Sequence, residues 1–249
     1  METTCDAFLG GRLQVLQPKH GYRAGADPVF LAASVAAQPG ETVLELGCGV
    51  GVALLCLKAR VADIQVTGID IQTDLIALAQ QNFAENGHAA HLIAGDLQAL
   101  PQSIRTESYD HVMMNPPFFN RKSGHPAIDP GRETGRGLTA ELSTWLDTGL
   151  KRLKPGGCLH LVNRIDSLPV CLGHLAERMG DIHILPLAPR VGRPAKLFVL
   201  KGKKGGKSGV TLSAPFILHD GTRHEKDGDS YSQNAKQVLR EAYAFPPMD

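Results

Sequence analysis

Glu41-Thr42-Val43-Leu44-Glu45-Leu46-Gly47-Cys48-Gly49-Val50-Gly51-Val52 sets an apolar run of strand length directly against a glycine-rich turn. Thr42–Leu46 reads as a strand and Val52–Arg60 as the helix after it, so the glycines form the connection. Backbone that must approach a ligand closely needs glycine, because any Cβ would fill the space, and the helix start beyond it presents unpaired N–H groups. Spacing then separates two cofactors. A dinucleotide loop asks for G-x-G-x-x-G; after Gly47 and Gly49 its third glycine would fall at position 52, which is Val52. The run is instead acidic-x-G-x-G-x-G, led by Glu45.

On either side the pattern alternates strand and helix. Gln65–Asp70 reads as a strand, Asp74–Glu85 as a helix closed by Asn86-Gly87, and His91–Asp96 and Tyr109–Met114 as further strands. After an irregular segment, Phe119–Gly137, come a helix over Leu138–Leu153 with the only tryptophan, Trp145, a strand over Cys158–Val162, and a helix opened by Ser167-Leu168-Pro169. Strands over Ile182–Leu187, Lys196–Lys201 and Val210–Leu218 and a short helix around Ala235–Ala242 complete the chain. This alternation predicts an α/β fold, a doubly wound, mostly parallel, seven-stranded Rossmann-like sheet. Residues 1–40 read as an addition packed on that core: a hairpin turning at Gly10-Gly11, a loop over Lys19–Gly25, and a helix over Val29–Ala37 with Asp27 as N-cap and Pro28 at the first position. Residues 41–249 read as one globular unit.

Asn115-Pro116-Pro117-Phe118 ends the fourth strand of the sheet. Two prolines forbid continuation of strand or helix and fix the corner rigidly. Taken alone this is a stiff turn with Asn115 as its Asx residue and Phe118 as a core aromatic. At a strand end beside the glycine loop it acquires a chemistry. An exocyclic amino nitrogen is a poor nucleophile because its lone pair is delocalised. The Asn115 side-chain oxygen and the Pro116 carbonyl can accept its two N–H groups and favour a pyramidal nitrogen whose lone pair points at a methyl donor. Phe118 then stacks on an extruded base.

The loop led by Glu45 resembles the S-adenosylmethionine loop of class I methyltransferases. The N-P-P-F corner is shared by amino methyltransferases acting on adenine N6, guanine N2 and glutamine N5. Gly25-Ala26-Asp27 and Phe30-Leu31-Ala32 precede the loop; Lys201 to Gly209, Val210–Leu218 and His219-Asp220-Gly221 follow the sheet. With these, residues 8–221 resemble the bacterial tRNA1(Val) adenine-N6 methyltransferase group, which methylates an adenosine beside the anticodon. The resemblance implies a methyltransferase domain over 41–249 with S-adenosyl-L-methionine as cofactor. It implies that Glu45 lies near the methionine end, Asp70 at the ribose hydroxyls and Asp96 at the adenine amino group. Arg23, Ala26 and Asp27 close over the methionine part, with Gly47, Cys48, Gly49, Gly51, Ile71, Leu97 and Asn115 completing the cofactor site. Asn115, Pro116, Pro117 and Phe118 are the implied catalytic corner. Phe119–Gly137 is this sequence's own, which leaves rRNA guanine N2 and protein glutamine N5 as alternative acceptors.

The composition, 43% hydrophobic and 20% charged, excludes a disordered chain. No apolar stretch has membrane-spanning length, and METTCDAFLG lacks a basic, apolar leader, so a cytoplasmic location without a membrane partner is expected. Five cysteines without a C-x-x-C pair argue against a disulfide framework or structural zinc. Ten histidines form no metal-ligand pattern, and Ser143 and Ser208 lack a nucleophile-elbow context. Charge is divided: residues 1–118 hold 6 Lys+Arg against 12 Asp+Glu, and residues 119–249 hold 20 against 13. The basic half points to RNA, in particular tRNA, through Arg121, Lys122, Arg132 and Arg136 in one loop and Lys203, Lys204 and Lys207 in another. A solvated insertion and a flexible hairpin tip are the plain alternatives. Gly206-Lys207-Ser208 is not a P-loop, since Lys201 stands where its first glycine is required. Two other classes compete, a nicotinamide dehydrogenase and a non-catalytic RNA-binding module. The missing third glycine and the Asn-Pro-Pro-Phe corner count against the first.

Overall fold

The computed structural model describes residues 1–117, 142–221 and 230–246. Its elements in chain order are β1 (Thr3–Phe8), β2 (Leu13–Pro18), α1 (Asp27–Ser34), β3 (Thr42–Leu46), α2 (Val52–Arg60), β4 (Gln65–Asp70), α3 (Thr73–Glu85), β5 (His91–Ala94) and α4 (Gln102–Arg105). These are followed by β6 (Tyr109–Met114), α5 (Leu142–Arg152), β7 (Leu153–Arg164), α6 (Leu168–Leu175), β8 (Met179–Ala188), β9 (Leu197–Lys204), β10 (Val210–Leu212), β11 (Phe216–Ile217) and α7 (Gln233–Glu241). The main sheet runs β10-β8-β9-β7-β6-β3-β4-β5, with β11 also on β8. All pairings are parallel except those of β9, which lies antiparallel between β7 and β8. β3 to β9 are the seven expected strands. The run 210–218 splits into β10 and β11, separated by Ser213, Ala214 and Pro215; proline has no N–H to offer a ladder.

From β3 the chain winds outward through β4 to β5, and from β6 through β7 in the other direction. The β3–β6 pair is therefore the switch point, and a crevice opens beyond its C-terminal end. The central strands TVLEL and YDHVMM are buried nearly throughout, as strands covered on both faces must be. One face packs on α1, α2, α3 and the hairpin; the other packs on α5 and α6, with Trp145 and Phe198 among its buried residues.

The hairpin forms as expected, turning through a 3-10 turn over Leu9–Gly11. Its attachment is unusual. Leu16 and Gln14 of β2 pair with the side-chain amides of Asn82 and Asn86, each amide accepting a backbone N–H and donating to the same residue's carbonyl at 2.8–3.0 Å. Helical neighbours at i, i+4 stand about 6 Å apart and alternate strand residues about 6.8 Å apart, so two asparagines on one helix face imitate a paired strand.

Two expectations are corrected. α1 starts at Asp27 and ends at Ser34: Ala26 is the N-cap residue, Asp27 makes no capping hydrogen bond, and Val35 is extended. The lysine run is largely strand, Lys201, Lys203 and Lys204 lying in β9 between its two neighbours. Lys204 Nζ donates to the carbonyls of Leu150 and Leu153 at 2.8 Å, closing the end of α5. Phe118, Arg121, Lys122, Arg132 and Arg136 lie outside the described residues. Among the described residues no helix is long and apolar enough to cross a membrane.

Candidate active site

Leu46 and Met114 stand opposite each other at the ends of β3 and β6, so Gly47–Gly51 and Asn115–Pro117 leave the sheet into the same crevice. The glycine loop folds back on β4, with the N–H groups of Gly47 and Cys48 donating to Ile69 O at 2.8 and 3.0 Å. Gly47 has φ +68°, and a Cβ there would sit 2.4 Å from the Trp145 ring. Gly49 has φ +53° and donates to Asp70 Oδ2 at 2.9 Å; a Cβ on it would meet nothing within 4 Å. The loop thus turns bare backbone toward open space, and Gly51 leads from it into α2. Cys48 is buried against Gly68, and its thiol is pushed well up by burial and by the charges of Glu45 and Asp70, which leaves it unreactive.

Glu45 is the unusual member. It is 3% exposed, and its Oε2 has no hydrogen-bond partner among the described residues. Burial first, then repulsion from Asp70, holds its carboxyl well above the usual carboxylate range. A buried orphan oxygen is costly unless something else completes it, and a ligand ammonium would do so. Asp70 accepts from Gly49 N–H through Oδ2 and from Gln72 N–H through Oδ1, both at 2.9 Å, and burial raises its pKa. The Gln72 side chain and the Ile71 N–H also favour its charged form. Asp96, beyond β5, accepts from Gln98 N–H at 2.8 Å. Ile71 is 43% exposed at the rim, and Leu97 packs into the α5 face of the core.

Asn115 is half-buried on the other wall, followed by buried Pro116 and half-buried Pro117. Its Nδ2 donates to the Tyr22 hydroxyl at 3.4 Å. Tyr22 went unnoticed in the sequence, where it is one residue of a basic loop. Although Tyr22 is 53% exposed, desolvation of its hydroxyl and the negative charges of Asp27, Glu45 and Asp70 push its pKa up to about 12, against the lowering effect of the Asn115 bond. It therefore stays protonated, within Coulombic reach of Asp27, Glu45 and Asp70 and bonded to Asn115. Asp27 carries a pKa raised by burial, and Ala26 lends its carbonyl to the first turn of α1. Arg23 departs from expectation. Its guanidinium donates to Thr4 Oγ1 at 2.6 Å, to Pro18 O at 2.9 Å and to Asp6 Oδ2 at 2.5 Å, so it ties the loop to the hairpin. The carboxylates and exposed backbone suit a ligand carrying an ammonium group and vicinal hydroxyls. Among the described residues no group of three His, Cys, Asp or Glu could hold a metal ion.

A family model described as the methyltransferase small domain matches residues 26–179. A tRNA1(Val) (adenine(37)-N6)-methyltransferase of Shewanella baltica is 28% identical over 244 residues, 95% of this chain and 98% of the relative. Among solved structures, a predicted O-methyltransferase from Agrobacterium tumefaciens has a TM-score of 0.69 at 21% identity, covering 88% of this chain and 98% of that one. The Thermus thermophilus 16S rRNA N2 G1207 methyltransferase, solved with AdoMet and guanosine, has a TM-score of 0.57 at 19% identity, covering 82% of this chain and 50% of that one. At these identities the two structures speak for the fold alone.

Proposed function

Because the chain belongs to the methyltransferase small-domain family, we propose that it methylates the exocyclic N6 of an adenine in tRNA. It is an S-adenosylmethionine-dependent methyltransferase. The cofactor supplies an electrophilic methyl group on a positively charged sulfur. In this reading Glu45 Oε2, an orphaned acceptor, takes the ammonium group, Asp70 the ribose hydroxyls and Asp96 the adenine amino group, while the Gly47–Gly51 turn leaves room at Gly49.

The acceptor nitrogen is the work of the opposite wall. In this reading Asn115 Oδ1 and the Pro116 carbonyl accept the two N–H groups of the adenine amino group. Pro116 and Pro117 keep both acceptors fixed, so alignment is in place before the acceptor arrives. Tyr22 receives Asn115 Nδ2, which turns Oδ1 of that amide toward the amino group. The nitrogen becomes acidic only after it gains the methyl group, so the chain needs no strong base. The observation that carries the reading is the shared crevice: an Asn-Pro-Pro corner one residue beyond Met114, level with the glycine loop one residue beyond Leu46. The Shewanella relative, matched over nearly its whole length, supports adenine N6 in tRNA as the acceptor. The basic C-terminal half supports an RNA partner; of the lysines singled out for it, Lys203 and Lys207 are exposed.

Tritiated-methyl transfer from S-adenosylmethionine into unmodified tRNA, rRNA and a glutamine-bearing protein, followed by nucleoside analysis, tests the acceptor. Label in N6-methyladenosine of tRNA is the expected result. Label in N2-methylguanosine or in protein overturns it.

A further inference from the structure

The sheet edge opposite the crevice holds a second cavity, of about 430 Å³, where β6, β7 and β8 begin and β9 ends. At strand rise its Asp110 lies about 16 Å from Asn115 along β6. Each carboxylate in it has one oxygen already engaged. Asp110 Oδ2 accepts from Thr42 N, Thr42 Oγ1 and Lys154 Nζ at 2.8–2.9 Å. Glu41 Oε2 accepts from Gln38 N at 2.7 Å and lies 3.0 Å from His111 Nε2. Asp181 Oδ1 accepts from Ser208 N at 2.9 Å.

The donors are not served. Lys201 and Lys203 make no hydrogen bond or ion pair among the described residues, although Lys203 lies within Coulombic reach of Asp181. His183 Nδ1 is buried without a partner. Strand register brings the three to one face. Lys201 stands opposite His183 on β8, and Lys203 is the next residue on that side of β9, opposite Cys158 of β7. A site whose carboxylates each already hold a partner, while two ammonium groups and an imidazole nitrogen converge unpaired, offers several donors to an anion with several acceptor oxygens.

We propose that this cavity binds a phosphate group, held by Lys201 Nζ, Lys203 Nζ and a proton on His183 Nδ1. That chemistry arrives either as small phosphate, free or on a mononucleotide, or as the backbone of an RNA. The test titrates inorganic phosphate, at ionic strength balanced with chloride, into protein whose histidine side-chain nitrogens are followed by NMR. The expected result is a saturable shift of His183, at least tenfold weaker in Lys203→Gln and abolished in Lys201→Gln/Lys203→Gln. Lys203 is exposed, so its single variant keeps the test alive should the double variant not fold. A shift that never saturates, or that Lys203→Gln leaves unchanged, overturns the proposal. A second arm compares tRNA binding against salt. A log–log slope reduced by about one in Lys203→Gln, with phosphate competing, assigns the site to RNA backbone. An unchanged slope alongside saturable phosphate binding assigns it to small phosphate.

Discussion

Glu45 couples cofactor binding to a proton. Its carboxyl is raised by burial and by Asp70, so before binding it holds its proton above the ordinary carboxylate range. An ammonium placed beside the orphaned Oε2 favours the charged form, so binding expels that proton and affinity rises with pH as Glu45 ionises. Calorimetry of S-adenosylhomocysteine in buffers of different ionisation enthalpy is expected to show net proton release; none at any pH would remove Glu45 from this role. Glu45→Gln is expected to weaken that affinity by about ten- to a hundredfold, the range for a hydrogen bond to a charged group. Tyr22→Phe removes only the bond to Asn115 Nδ2. We expect about a fivefold loss in kcat with S-adenosylhomocysteine affinity unchanged, roughly one neutral hydrogen bond; a parallel loss of affinity would make Tyr22 a cofactor contact instead. The placement of Glu45, Gly47, Asp70 and Asn115 was readable because each lies within one residue of a strand's C-terminal end. Tyr22 and Arg23 were not, since their partners, Asn115 and Asp6, lie 93 and 17 positions away.

The hairpin is joined to the core by asparagine side chains as well as by apolar contact. Asn82 is fully buried and bridges Leu16 N–H, Leu16 O and Val50 O. Asn82→Ala strands three backbone groups, and a loss of about 2–4 kcal/mol is expected in urea unfolding; more exposed Asn86→Ala is expected to cost about 1 kcal/mol. Equal, small losses would mean that water replaces the amides at both positions. Periodicity revealed α3 but not this use of its face, because an asparagine in a helix ordinarily reads as a neutral surface residue. The lysine run misled for a related reason. Charge density suggested a loop, yet β9 is held between two neighbours, and Lys204 closes α5 with its ammonium group.

Across the sheet, the two edges differ in chemistry, and the N-terminal edge sets a pH limit. His160 is fully buried, with Nδ1 3.3 Å from Ser34 Oγ and Nε2 3.1 Å from His111 Nδ1. Burial holds both imidazoles below the ordinary range, His160 well below. The unfolded chain therefore binds more protons than the fold below about pH 6.5, so their contribution is present above that pH and lost as pH falls. The raised carboxyls of Glu45 and Asp70 act in the opposite sense, so the comparison must isolate the histidine. Thermal melts from pH 7.5 to 5.5 are expected to fall less steeply in His160→Gln than in the parent; identical slopes would exclude the pair as the cause. The seven-stranded frame was legible because alternating strand and helix periods admit few other packings. The buried His111–His160 pair was not, because a buried histidine and a surface histidine look alike in sequence.

Methyl transfer to adenine N6 rests on Asn115 holding the acceptor nitrogen while contributing little to the cofactor. Steady-state methylation of tRNA and S-adenosylhomocysteine binding, measured side by side for Asn115→Ala and the parent, separate those two roles. Turnover reduced about a hundredfold or more, ~2.7 kcal/mol of transition-state stabilisation, with affinity within about threefold, is the predicted result. Undiminished turnover, or turnover and affinity falling together, would contradict it.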